Sequence, residues 1–291
     1  MKILNFGSLN IDYTYDVPYF VRSGETLSCT GMRKYSGGKG LNQSVALARC
    51  GASVWHAGAV GRADGAFLVQ ELEAAGVHTD FIAQLDGPTG HAIIQRAKSG
   101  ENCILLHGGA NQRVTRQMAD RVLEHFEEGD FLVLQNEISE VGYIMEKARE
   151  KGMKIFLNPS PMNEKVFSYP LQCVDCFLLN EVEASGLCGA REGGEALLKK
   201  TAERFPKADI VLTLGGEGSY LYRQGRILKQ EAFPAKALDT TAAGDTFTGY
   251  FIGGTAQGLR AAEAMSLASR AAAIAVSRYG AAPSIPRREE I

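Results

Sequence analysis

Two periodicities alternate along this chain. Short apolar runs of strand length occur at Lys2 to Phe6, Val54 to Val60, Phe131 to Gln135, Lys154 to Leu157, Cys176 to Leu179 and Ile210 to Leu214. Between them, Phe67 to Ala75, Val141 to Lys151 and Gly194 to Phe205 carry apolar residues three to four positions apart, the spacing of one helix face. Strands alternating with crossover helices predict an α/β fold with a mainly parallel sheet covered on both faces.

Two segments break the alternation. Tyr13 to Tyr35 reads as extended and turn-containing, and His91 to Leu106 as a hairpin turning at Ser99-Gly100. Neither contains the helix that a βαβ unit needs. They predict a small separate sheet, about residues 13–35 and 87–106, inserted into a single domain spanning 1–291. Such a sheet can cover a site at the C-terminal edge of the main one, where α/β folds bind ligands.

Composition narrows the function classes. The chain has 291 residues, 45% of them hydrophobic, enough for a large core and against a disordered or fibrous protein. The 31 basic and 33 acidic residues are interspersed, so neither nucleic acid nor a membrane surface is an expected partner. The first residues carry too short an apolar stretch for a secretory signal, and no run approaches the roughly 18 residues of a membrane span, so a soluble cytoplasmic protein is expected. Six scattered cysteines read as reduced thiols, the lone Cys173/Cys176 pair included, because no second pair or nearby histidine completes a zinc site.

The chemistry concentrates in two stretches. In Asp239-Thr-Thr-Ala-Ala-Gly-Asp-Thr-Phe-Thr-Gly249, the small residues Ala242, Ala243 and Gly244 admit a ligand close to the backbone, and a helix beginning there offers free N–H groups and a positive dipole end to a phosphate. Asp245, in its first turn, can accept a proton from an attacking hydroxyl. Together these supply what phosphoryl transfer needs. The second stretch, Ser36 to Gly51, joins a glycine-rich turn to a helix. It is not a Walker A loop, since Arg33 replaces the first glycine and Gly40 the magnesium-binding hydroxyl. Lys39 and Asn42 instead suit a polyhydroxy ligand.

Gly37 to Gly51 and Asp239 to Gly249 resemble the two signature motifs of the PfkB carbohydrate kinase family, in detail those of its ribokinase branch. The similarity continues at Gly7 to Asp12, Gly24 to Thr26, His107 to Asn111, Leu157 to Pro161, Asn180 to Glu183, Thr213 to Gly218 and Gly280 to Ser284. The resemblance implies a ribokinase-like three-layer α/β/α sandwich with a β lid, and lids of two subunits that pair into a homodimer. It places Asn10, Asp12, Gly38, Lys39, Asn42 and Glu137 on the sugar, and Asn180, Thr213, Gly215, Gly218, Gly244 and Ser269 on ATP. It assigns Asn180 and Glu183 to Mg²⁺, and Asp239, Thr241, Ala275, Arg278, Gly280 and Ser284 to K⁺. Asp245 becomes the catalytic base, with Ala242 to Asp245 as the anion hole, and D-ribose the expected acceptor.

Departures from the pattern are Ala242, where many members have glycine, and Asn136 before Glu137. His91 falls where an apolar residue is expected, leaving an exposed strand histidine or a sugar contact. Two rival functions stand beside ribose phosphorylation. One is a related kinase of fructose, deoxyribose or a nucleoside; the other is a non-catalytic sugar sensor on the same fold. The full hydroxyl-binding set argues against the first and the intact Asp245 against the second.

Overall fold

A computed structural model describes residues 1–99 and 101–291; Gly100, one half of the predicted hairpin turn, lies outside the described residues. The chain opens with β1 (Ile3–Phe6), the small-sheet strands β2 (Asn10–Val17) and β3 (Gly31–Gly37), and then α1 (Lys39–Arg49). Next come β4 (Val54–Gly61), α2 (Ala66–Ala74), β5 (His78–Leu85), and the hairpin β6 (Gly90–Ala97) and β7 (Asn102–His107). The middle of the chain forms α3 (Arg116–Leu123), β8 (Phe131–Gln135), α4 (Val141–Glu150), β9 (Lys154–Asn158) and β10 (Cys176–Asn180). It closes with α5 (Glu181–Cys188), α6 (Gly194–Arg204), β11 (Asp209–Thr213), β12 (Ser219–Arg223), β13 (Arg226–Gln230), α7 (Ala243–Ala256) and α8 (Ala261–Val276).

The main sheet runs in the order β13-β12-β11-β10-β9-β8-β1-β4-β5, parallel from β11 to β5, with β12 and β13 antiparallel. All six strands read from the sequence lie in it. Its two faces bury separate cores. Ile3, Leu41, Val45, Leu68, Phe251 and Leu267 pack under α1, α2, α7 and α8; Leu4, Phe6, Ile144, Leu187 and Leu198 pack under the helices α4, α5 and α6. Three layers result, as the alternation of apolar runs and amphipathic stretches predicts.

The order also locates the crevice. From β1 the chain proceeds outward through β4 to β5, then returns to lay β8 on the other side of β1. Adjacent βα connections therefore diverge just beyond Phe6 and Gln135, a switch point that opens a crevice at the strands' C-terminal ends. The small sheet, β3-β2-β6-β7, stands over it. Its first strand begins at Asn10, so Asn10, Ile11 and Asp12 belong to the small sheet, and the predicted hairpin is β6 and β7 in antiparallel register.

Candidate active site

The loop after β1 and the start of α1 meet edge to edge. A Cβ at Gly40 would lie 2.4 Å from the Ser8 amide nitrogen, so a side chain there would drive helix and loop apart. The close contact brings Ser8, Lys39 and Glu137 together. Ser8 donates its hydroxyl to Glu137 Oε2, and the Lys39 amide donates to the same oxygen at 2.9 Å. Across the crevice, a Cβ at Gly249 would lie 2.4 Å from the Ala46 Cβ, so α7 packs backbone to backbone on α1. That approach presents Asp245, in the first turn of α7, to two amides of α1: Asn42 Nδ2 donates to Oδ2 at 3.0 Å and Gln43 Nε2 to Oδ1 at 2.9 Å.

Two connected spaces border Asp245, and a third adjoins them through Thr213 and Gly244. A cleft of roughly 840 Å³ under the small sheet is lined by Asn10, Asp12, Gly38, Lys39, Asn42, Glu137 and Asp245, the whole predicted hydroxyl-binding set. A chamber of roughly 230 Å³ is lined by Lys39, Asn158, Asn180, Glu183, Thr213, Ala242, Gly244 and Asp245. Beyond it, a cleft of roughly 500 Å³ is walled by Thr213, Gly215, Gly218, Gly244 and Ser269, together with Phe233, Phe247 and Val276, which sequence reasoning did not single out. Lys39 and Asp245 border both the first cleft and the chamber; Thr213 and Gly244 border both the chamber and the last cleft.

Electrostatics at the floor are set by burial against pairing. Burial, and then the charge of Glu137, push the Asp12 carboxyl up to about 7. Burial also raises Glu137 despite Lys39, the Ser8 hydroxyl and the Lys39 amide. Burial works against the Lys39 ammonium, but Asp245, Glu137 and Glu183 outweigh it and hold its pKa above the ordinary lysine value. Asn42 Oδ1 is buried without a partner among the described residues, an acceptor left for a ligand hydroxyl.

At the start of α7, Ala242 takes a left-handed conformation with φ 59°, which is the region glycine occupies without strain and which accounts for glycine being common there in the resembling family. The turn is closed by the Ala243 amide, which donates to Thr240 O at 3.2 Å. Among the described residues, the amides of Ala242, Gly244 and Asp245 have no hydrogen-bond acceptor, so three of the four expected N–H groups remain for an anion.

Asn180 and Glu183 form a reciprocal capping box at α5: the Asn180 side chain accepts from the Glu183 amide, and Glu183 accepts from the Asn180 amide. Glu183 also receives Asn180 Nδ2 at 3.0 Å and Asn158 Nδ2 at 3.2 Å. With both oxygens engaged, this pair fits a hydrated divalent ion held through water rather than by direct ligation. The Asp239 carboxylate joins the other two predicted metal segments, accepting from the Thr241 amide at 2.9 Å and hydroxyl at 2.6 Å and from the Gly280 amide at 3.0 Å. Burial opposes its charge, but the Thr241 hydroxyl and these amides prevail and lower its pKa. Asp239, Thr241 and Gly280 also line the large cleft. Ala275 and Ser284 are fully buried beside that segment, whereas Arg278 pairs with Glu290 at 2.6 Å. Asp239 and Thr241 carry oxygens of the kind the predicted monovalent cation takes; Arg278 could join them only through its carbonyl, since its guanidinium is donor-only and pairs with Glu290.

His91 is not among the cleft residues. Its neighbour Ala92 is, and the His91 ring packs edge-on to Tyr13 and against His107. Sequence reasoning also passed over the amides beneath the site, Asn5, Gln43, Gln135 and Asn158, and the serine that holds Glu137. Gln43, Ser8 and Asn158 each sit within a quoted stretch, Gln43 directly beside Asn42.

Residues 1–288 match the family described as pfkB family carbohydrate kinase. The chain is 36% identical over 291 residues to the ribokinase of Haemophilus influenzae, covering 98% of this chain and 95% of that protein. It superposes with a TM-score of 0.86 and 32% identity on the ribokinase of Cryptococcus neoformans var. grubii serotype A in complex with ADP, over 99% of this chain and 98% of that one. The Arabidopsis thaliana ribokinase complexed with ribose and ATP gives 0.85 and 28%, over 99% and 96%. The chain belongs to the pfkB family of carbohydrate kinases, enzymes that phosphorylate sugars with a nucleoside triphosphate.

Proposed function

We propose that this kinase transfers the γ-phosphoryl group of ATP to the primary hydroxyl of D-ribose, giving D-ribose 5-phosphate. The observation that carries the reading is the position of Asp245: a buried carboxylate between a polyhydroxyl-binding cleft and a cleft of nucleotide size, at a helix start with free amides. Relatives named ribokinase at 31–36% identity over nearly the whole chain favour ribose over other sugars.

In this reading Asp12, Glu137 and the unpartnered Asn42 Oδ1 accept from sugar hydroxyls, while Asn10 and Lys39 donate to them. The hydroxyl is thereby held beside Asp245, which takes its proton as the oxygen attacks phosphorus. The amides of Ala242, Gly244 and Asp245 receive the charge that develops on the phosphoryl oxygens. The purine and ribose of ATP lie along Thr213, Gly215, Gly218 and Ser269. Asn180 and Glu183 would hold a hydrated Mg²⁺ through water, and such an ion would supply positive charge beside the phosphates. Asp239 and Thr241 would hold K⁺, and a cation there would supply charge that orders the turn carrying the amides. The lid excludes water, and two copies pair through it, covering apolar residues such as Leu105, which is 69% exposed.

A coupled assay over pentoses, hexoses and nucleosides tests the acceptor. D-ribose is expected to give the highest kcat/KM, because a site built to hydrogen-bond hydroxyls discriminates strongly against analogues lacking them. A higher value for fructose or a nucleoside would overturn ribose while leaving the kinase class intact. Turnover in Tris buffer, with K⁺ added at constant ionic strength, tests the monovalent site.

A further inference from the structure

The Asp245 carboxylate is only one end of a buried run of side-chain amides. Gln43 is fully buried on α1, and its Nε2 donates both to Asp245 Oδ1 at 2.9 Å and to Asn158 Oδ1 at 3.3 Å. Gln43 Oε1 accepts from Gln135 Nε2 at 2.7 Å, and that same nitrogen donates to Asn5 Oδ1 at 3.0 Å. Asn5 Nδ2 in turn donates to Gly40 O and Ser44 Oγ, both at 2.8 Å. On the other branch, Asn158 Nδ2 donates to Leu178 O at 2.9 Å and to Glu183 Oε2 at 3.2 Å.

The direction of every bond follows from its two ends. A carboxylate only accepts, so Gln43 must turn its NH₂ toward Asp245, which leaves its carbonyl to be met by a donor. Gln135 supplies that donor and therefore turns its own Oε1 away; this atom is buried without a partner, the cost of keeping the run aligned. Asn158 cannot flip either, because its NH₂ is claimed by a backbone carbonyl and by Glu183. A core helix needing only packing at position 43 has no use for such an arrangement, since an apolar residue of equal length avoids all of these constraints.

We propose that Gln43 is a positioning residue for phosphoryl transfer: its carboxamide fixes the plane of the Asp245 carboxylate and, through Asn158, couples the base to Glu183 on the nucleotide side. The proposal rests on Asp245 being the base. With Asn42 holding Oδ2 and Gln43 holding Oδ1, the carboxylate has one donor on each oxygen and cannot rotate without losing one. The charged groups around the pair are Lys39, Glu137 and Glu183.

The experiment compares Gln43→Met, Gln43→Glu and Asp245→Asn with the parent, measuring kcat, both KM values, pH profiles and ADP binding by calorimetry. Gln43→Met is expected to bind ADP as the parent does, with kcat lower by about 10- to 100-fold, the worth of one hydrogen bond to a charged group. Its KM values should move by less than about threefold, since only the reacting geometry is lost. Gln43→Glu is expected to gain an alkaline limb in kcat. At acid pH the introduced carboxyl keeps its proton and replaces the amide as donor; as pH rises that proton leaves, two carboxylates face each other, and turnover falls. A purely structural glutamine predicts no such limb.

Parental kcat in Gln43→Met, or a parental pH profile in Gln43→Glu, with Asp245→Asn inactive, would overturn the positioning role alone. Turnover retained by Asp245→Asn would instead remove the base and the proposal with it. If neither position-43 variant binds ADP, the residue is structural and the proposal fails.

Discussion

The floor of the site and its lid are built on opposite principles. On the floor, Gln43 is 0% and Asn42 6% exposed, and the polar groups are held by hydrogen bonds among four elements, α1, α7, β8 and β1. In the lid, Ile104, Leu105 and Leu106 are 60%, 69% and 47% exposed, and the main charged feature is Asp16 paired with Arg33 and Arg96 at the surface. Surface ion pairs contribute little, so the lid gains its order from what it covers. The floor's polar groups are thus fixed by buried hydrogen bonds, while the lid presents exposed apolar side chains, the division expected when chemistry needs close placement and access needs opening.

Removing the proposed base should break the floor's chemistry without touching the lid. Asp245→Asn is expected to lower kcat by about 10²- to 10⁴-fold, the usual contribution of general-base catalysis, with ADP binding retained in calorimetry. Separating the two helices should damage stability and chemistry together. Gly249→Val places atoms where a Cβ already meets Ala46 at 2.4 Å and Gln43 O at 3.0 Å. A cost of about 1–3 kcal/mol in chemical denaturation is expected, with kcat reduced as Asn42 and Gln43 shift from Asp245.

Asp12 lies on the boundary between the two regions, on β2 of the lid but facing the floor. Its pKa is raised from the ordinary 3.8 to about 7, so its carboxyl charges only as pH rises through that value. If the charged form accepts the sugar hydroxyls, kcat/KM for ribose should climb through about pH 7 and Asp12→Asn should lose that limb. The stability sign is opposite. A raised carboxyl stabilises relative to the unfolded chain at low pH, and that contribution disappears between about 4 and 7. Asp12→Asn should therefore melt higher than the parent at pH 8 while binding sugar worse.

The smallest effect on the fold is expected at the lid surface. Leu105→Asp should change the unfolding free energy of the isolated subunit by less than about 0.5 kcal/mol, as exposed substitutions do. Light scattering should show a smaller particle if the lids pair. An unchanged mass would end the pairing proposal and leave the floor's chemistry untouched.

The primary sequence determined the layers. Apolar runs at β1, β4 and β8 to β11 are buried whatever their neighbours, and the period of α2, α4 and α6 decides which side meets the sheet, so each is a local property. The turn proposed to bind the phosphoryl group could be singled out for the same reason: Ala242 to Asp245 are consecutive, and the chemistry proposed for them depends on one helix start. Only the tertiary structure decided which residues hold the Asp245 carboxylate. Gln43 and Asp245 are 202 positions apart, and Gln135 and Asn5 are 130 apart. Their meeting depends on β8 returning beside β1 and on Gly249 letting α7 close on α1. The orientation of each amide then follows from its partners rather than from its neighbours in the chain, because an amide can present either end and only the groups facing it choose which.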